Sequence, residues 1–298
     1  MPNKLATLLA ALAVAGASGV SAEDARVLTA HYPEGPLWRG ERLYFAEMRA
    51  DRVTLSDEEG VRAFFTKPGS GPTAIAPYGD GFLILCHLSA DVVAVDALGR
   101  ELRRWNHDNK GAPLTNPNDA SADGQGGVYF SDSGPFSKTA RPQGRIMHLS
   151  ADGVLRKVAG PLKYPNGVHV KGDALYVSEH LRGRILRYDI KAGADLGGAT
   201  VFADLSGLDR PARYQTKYAL SGPDGLEFGP DGALYVAVYG EGRLLKFSSD
   251  GKLLNVIEQP MRFLTNLAFG PTGAAFTGTF DIQKPPFRGE VRIETGLP

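Results

Sequence analysis

The chain repeats itself, and the repeat limits the fold more than any other feature. Its units run from EGPLWRGERLYFAEMRADRVTLSDEEG, through PTAIAPYGDGFLILCHLSADVVAVDALGR and PNDASADGQGGVYFSDSG, to PNGVHVKGDALYVSEHLRGRILRYDI, PDGLEFGPDGALYVAVYGEGRLLKFSSDG and TNLAFGPTGAAFTGTF. Each offers a short strand, a Gly/Asp turn, an apolar strand, a polar turn and an R-hydrophobic-hydrophobic-[RK]-x strand. A final turn leads to a fourth strand such as VLRKVA or KLLNVIE. Four short strands at a spacing of roughly 40 to 55 residues match a propeller blade. Six such units predict an all-β, six-bladed β-propeller, with four-stranded blades around a central channel. The last unit is short. Either GEVRIETG supplies its outer strand, or the N-terminal ARVLTA pairs with it and closes the ring, removing two open sheet edges.

With 298 residues, 37 of them Gly and 20 Pro, the chain suits one turn-rich β domain. Formal net charge is zero and no Lys/Arg run occurs, which argues against a nucleic-acid partner. Lys4, the apolar run Leu5 to Val14 and Val20-Ser21-Ala22 read as a signal peptide over 1–22. The expectation is therefore an exported protein, periplasmic or secreted, with one domain over 23–298 and no membrane contact after cleavage. Cys86 is the single cysteine, so no internal disulfide holds the fold. Its FLILCHL setting predicts core packing.

Three echoes recur just before apolar strands: Pro117-Asn118-Asp119, Pro165-Asn166-Gly167 and Pro223-Asp224-Gly225. Pro has a fixed φ and no N–H for a ladder, so it suits the residue that opens a strand. The next residue is then presented at the strand mouth. Glu34, before Gly35-Pro36, is the counterpart in the first unit, and Thr73 and Asn266 are read into the same position in the other two. A propeller gathers such positions near one mouth of its channel. Two carboxylates with neutral amide oxygens suit a hard divalent cation such as calcium. His and Cys are missing from these positions, which disfavours zinc or copper. Taken singly, each Asn or Asp is an ordinary turn former; their common place in the repeat sets these apart. His87 and His180 follow equivalent apolar strands and read first as blade-edge caps, with the alternative that they face the channel mouth as rim residues beside Arg213 and Tyr214. Trp38 and Trp105 read as packing aromatics.

On EGPLW at Glu34, NPND at Asn118, PNGV at Asn166 and PDGL at Asp224, the chain resembles the senescence-marker-protein/gluconolactonase family of six-bladed, calcium-dependent propellers. GGVYFSD and RILRYDI carry the resemblance further, over nearly the whole mature chain. It implies that Glu34, Asn166 and Asp224 are the metal ligands, with calcium the expected cation and manganese, magnesium or zinc as alternatives. It implies that Asn118 faces both the metal and the substrate. It also implies that Asp132, in YFSDSG, is catalytic, and with Asp224 a candidate base for water attacking a lactone carbonyl. One departure bears on the substrate. Sugar lactonases of the family commonly carry Arg two residues before the Asn of the PND motif, and here that residue is Asn116. A small-molecule lactone or ester is the expected substrate, with Asn118 and Asn116 as substrate-binding candidates. The alternatives are a non-catalytic propeller tied together by the ion and a non-lactone reaction at the same site. Two insertions interrupt the repeat, Pro135 to Gln143 and Ser206 to Leu220, and the second reads as a rim or lid over the channel.

Overall fold

Pro33, Pro72, Pro117 and Pro165 each open the first strand of a four-stranded antiparallel sheet. The computed structural model describes residues 25–209 and 218–295. The expected signal peptide, and the stretch 210–217 of the second insertion, lie outside the described residues. The first sheet takes Pro33–Arg39, Arg42–Glu47, Arg52–Asp57 and Gly60–Thr66 in chain order. The next three follow the same plan from Pro72–Tyr78, Pro117–Ala122 and Pro165–Lys171. The fifth and sixth units differ. Gly222–Phe228, Leu234–Tyr239, Arg243–Phe247 and Leu253–Glu258 are joined to Phe263–Gly270, Gly273–Thr279, Arg288–Glu294 and Arg26–His31. The join is one pairing, Tyr239 with Phe263.

The hydrogen bonding thus gives four separate four-stranded blades and one eight-stranded sheet, not the six separate sheets expected from the repeat. The physical reason is local. Tyr239 ends one strand where Phe263 begins another, their rings pack 5.0 Å apart, and the backbones come close enough to pair. Both candidates for the last outer strand are used: Arg288–Glu294 pairs with Gly273–Thr279, and Arg26–His31 pairs with Arg288–Glu294. A strand from the start of the described chain therefore covers the edge left at its end.

The opening strands of the repeat units neighbour one another in a closed ring, from Pro33–Arg39 round to Phe263–Gly270. Apolar side chains fill the gaps between successive sheets, so the core is itself ring-shaped. One cluster joins Tyr44, Val53 and Phe65 to Ile75, Phe82 and Ile84. Another joins Leu83, Val92 and Trp105 to Phe130, Met147 and Leu149. Each fully buried Leu or Phe contributes about 1.5–3 kcal/mol of transfer free energy. Cys86 belongs to this core, wholly buried, its thiol pushed up to about 12 by burial. Trp105 is buried and donates to the Gly153 carbonyl at 3.0 Å. Among the described residues no helix is long and apolar enough to cross a membrane.

Candidate metal and substrate site

The pairing register slips once near the start of every ring strand, for example between Pro33-Glu34 and Leu37, Pro165 and Val168, and Pro223 and Leu226. A bulge adds a residue, bends the strand and re-aims a side chain. Here it falls at, or in the first unit just past, the residue that follows the opening one. That residue is Glu34, Thr73, Asn118, Asn166 and Asp224, and in the last unit the register assigns it to Thr265. The placement of Asn266 at this position is therefore corrected. Asn266 takes the following slot, occupied in the other units by Gly35, Ala74, Asp119, Gly167 and Gly225. The slot is tight. A Cβ on Gly225 would lie 2.1 Å from the Asn266 side chain, and one on Gly35 2.4 Å from the Thr73 carbonyl oxygen.

Glu34, Thr73, Asn118, Asn166 and Asp224 line one cavity of about 180 Å³. Around them stand Tyr32, Met48, His87, Phe136, Tyr164, His180 and Tyr239. Four of the six predicted site residues are thus brought together. Glu34, Asn118, Asn166 and Asp224 are all buried. Burial, then the charges of Asp224 and Asp119, push the Glu34 carboxyl well above the usual range. Burial and Asp119 do the same to Asp224, with the Asn166 amide opposing. Among the described residues no Lys or Arg lines the cavity. Asp224 Oδ1 is buried without a hydrogen-bond partner.

Asp132 is placed elsewhere. It does not line the cavity, and both its oxygens are engaged. Oδ1 accepts from Thr115 N (2.9 Å), Thr115 Oγ1 (2.8 Å) and Asn116 N (2.6 Å). Oδ2 accepts from Arg145 Nε (2.9 Å) and Nη2 (2.8 Å). Glu47 and Glu179 do the same work. All three stand opposite a strand-opening Pro. Glu47 holds Arg52 at 2.7 Å and the His31 N–H at 2.9 Å. Glu179 holds Arg184 and the Lys163 N–H at 2.8 Å. Asp132 is therefore one copy of a repeated clamp between a strand end, an Arg on the next strand and the incoming loop. A carboxylate so saturated has no free lone pair for a water proton, which removes the catalytic reading of Asp132. Asn116 is half-buried beside the cavity, its Nδ2 3.4 Å from His87 Nε2.

Several lining residues were not legible as such. His87 and His180 were not among them: both face the cavity, the mouth-facing alternative of the two readings open for them. Burial pushes both down to about 4, so both are neutral near pH 7. His87 Nδ1 donates to the Pro117 carbonyl at 3.1 Å, and His180 Nε2 to the Leu220 carbonyl at 2.8 Å. That leaves His180 Nδ1 with a lone pair 3.9 Å from Asp224 Oδ2 and no hydrogen-bond partner. Tyr32, Tyr164 and Tyr239 come from strand ends and turns and carry no motif. Asp119 had one signal, an acid where three of the six units carry Gly. It reaches across the channel to Val168 N at 2.9 Å and Asn266 Nδ2 at 3.1 Å, its carboxyl raised to about 6 by burial. Among the described residues no cluster of three or more His, Cys, Asp or Glu is placed to hold a metal. The candidate donor set is instead two carboxylates with amides.

The family model "SMP-30/Gluconolactonase/LRE-like region" matches residues 32–276. A relative named lactonase drp35, from Staphylococcus haemolyticus, is 27% identical over 237 residues, covering 75% of this chain and 68% of its own length. A gluconolactonase from Zymomonas mobilis is 26% identical over 272 residues, covering 81% and 74%. Among solved structures, a calcium-binding protein, regucalcin, from Agrobacterium tumefaciens superposes with a TM-score of 0.71 at 19% identity, covering 89% of this chain and 90% of that one. At that identity the likeness concerns the fold.

Proposed function

The chain belongs to the SMP-30/gluconolactonase/LRE-like family, and from that premise we propose that it is a cation-dependent lactonase acting at the cavity of Glu34, Asn118, Asn166 and Asp224. The two similar curated proteins are named as lactonases, which supports the reaction class. One observation carries the site. Among the described residues, two buried carboxyls share a small cavity with two neutral histidines and no Lys or Arg, and one carboxyl oxygen has no partner. Buried acids so placed are costly unless neutralised. An all-oxygen set of two carboxylates and amides fits a hard divalent cation, calcium first, better than zinc. The calcium-binding neighbour in fold agrees with that choice.

Glu34, Asn166 and Asp224 would hold the ion, which supplies polarisation of a carbonyl oxygen when bound. The protein's own groups do the rest. Asn118 orients the lactone carbonyl, its amide in turn set by the Tyr164 hydroxyl. Asp224, through the carboxyl oxygen that the ion leaves free, accepts the proton as a water oxygen bonds to the carbonyl carbon. The ring C–O bond then breaks, and that proton passes to the departing alkoxide, giving the hydroxy acid. The same reading counts the eight-stranded sheet as two blades sharing one pairing, which makes six blades in all. The test is hydrolysis of δ-valerolactone by chelator-treated protein with calcium, manganese, magnesium and zinc added back. Turnover restored by a cation supports the reading, and turnover indifferent to every cation and to the chelator refutes it.

A further inference from the structure

Given the lactonase reading, the cavity wall narrows the kind of lactone. Its floor is polar, but its sides are Tyr32, Phe136, Tyr164 and Tyr239 with Met48. Phe136 is the centre of this wall. Its ring lies 4.6 Å from that of Tyr164, 5.4 Å from His180 and 6.4 Å from Tyr239. It nevertheless keeps 37% of its surface exposed, an unusual state for a Phe with three ring neighbours. It arrives on the segment between Asp132 and Gly144 that interrupts the repeat, so no other unit supplies an equivalent.

The N–H and O–H donors of the wall are mostly committed to the protein, while the acceptors His180 Nδ1 and Asp224 Oδ1 stay unpartnered. Tyr32 and Tyr239 hydroxyls bond each other at 2.7 Å. The Tyr164 hydroxyl faces Asn118. His87 and His180 each spend their N–H on a backbone carbonyl. Thr73 Oγ1 donates to the Pro117 carbonyl at 3.2 Å. Among the described residues, a polyhydroxylated lactone would bring several hydroxyls against a surface with no Lys or Arg and few free donors. Each hydroxyl buried without a partner costs about 1–3 kcal/mol. An alkyl or aryl group gains about 25 cal/mol for each Å² it buries. We propose that the substrate is a lactone carrying an apolar substituent and few hydroxyls, and that Phe136 is the specificity-determining residue that packs on that substituent.

The test compares δ-nonalactone, unsubstituted δ-valerolactone and glucono-1,5-lactone, with wild-type protein and Phe136→Ala. The proposal expects kcat/KM for δ-nonalactone to exceed that for glucono-1,5-lactone by about tenfold or more, within the range one apolar group contributes. It expects Phe136→Ala to lower the δ-nonalactone to δ-valerolactone ratio by about tenfold, mainly through KM. Equal or greater efficiency on glucono-1,5-lactone overturns it, as does a Phe136→Ala loss that is uniform across the three. Calorimetric binding of the corresponding lactams asks the same question without turnover. If no lactone is hydrolysed but the butyl-substituted lactam binds in preference and loses affinity in Phe136→Ala, the hydrolase reading falls and the wall's specificity stands. If the lactams show no preference, the specificity proposal falls as well.

Discussion

Asp224 is the residue on which chemistry and structure meet. It combines a buried carboxyl raised above its usual range, a free oxygen and a neutral histidine nearby. Asp224→Asn keeps the shape and removes the charge. It is expected to lower kcat/KM for a lactone by about a hundredfold or more, the scale of losing one preorganised charge-stabilising group, and to weaken calcium binding in the same protein. Steady-state kinetics with calorimetry measures both. Cys86 gives a contrasting prediction. Its thiol sits in the core at about 12, so the native protein should not react with a thiol-specific disulfide reagent at pH 8, while the protein in denaturant should release one equivalent. Fast reaction of the folded protein would contradict the core placement.

At the scale of the blade, the repeat was legible because its strands alternate with Gly/Asp turns and open on Pro. The site was legible for the same reason, since Glu34, Asn118, Asn166 and Asp224 share one place in that pattern. What escaped was register. Nothing in TNLAF says that the bulge assigns Thr265, not Asn266, to the ligand position, because an extra residue in one strand leaves no local mark. Asp132 misled for a related reason. Its strand end has the same register as those of Glu47 and Glu179, and the Arg that pairs with it on the next strand in all three units, Arg52, Arg145 and Arg184, was the available sign of a clamp. The consequence is measurable. Asp132→Ala leaves the Arg145 guanidinium and two backbone N–H groups without their acceptor, at a cost of about 3 kcal/mol. Denaturant unfolding should show that loss. Calcium affinity measured in the folded variant should stay close to wild type, and a parallel collapse of affinity would return Asp132 to the site.

At the scale of the molecule, the ring is closed by pairing Arg26–His31 with Arg288–Glu294, and its centre holds acids that the fold alone does not neutralise. The sign of the pH dependence follows. A carboxyl whose folded pKa is raised holds its proton more tightly in the fold than in the unfolded chain. That stabilisation is complete below the unfolded values, 4.5 for Glu34 and 3.8 for Asp224, and is lost as pH rises through the folded values. Ion-free protein should therefore weaken as pH rises from about 4, and protons should compete with the cation at low pH. The rise in Tm on adding calcium is expected to be larger at pH 8 than at pH 5, with about 2.7 kcal/mol gained at a hundredfold excess over Kd. Scanning fluorimetry at the two pH values reads it, and an equal or reversed difference would contradict the linkage.

The claim beneath all of this is that separate sheets of the ring deliver Glu34, Asn166 and Asp224 to a single divalent ion. Calorimetric titration of chelator-treated protein with calcium, run beside Asp224→Ala, addresses it directly. One ion bound per chain, with that binding abolished in the variant, is the predicted result. No binding to the wild-type protein, or binding that survives in Asp224→Ala, would contradict it.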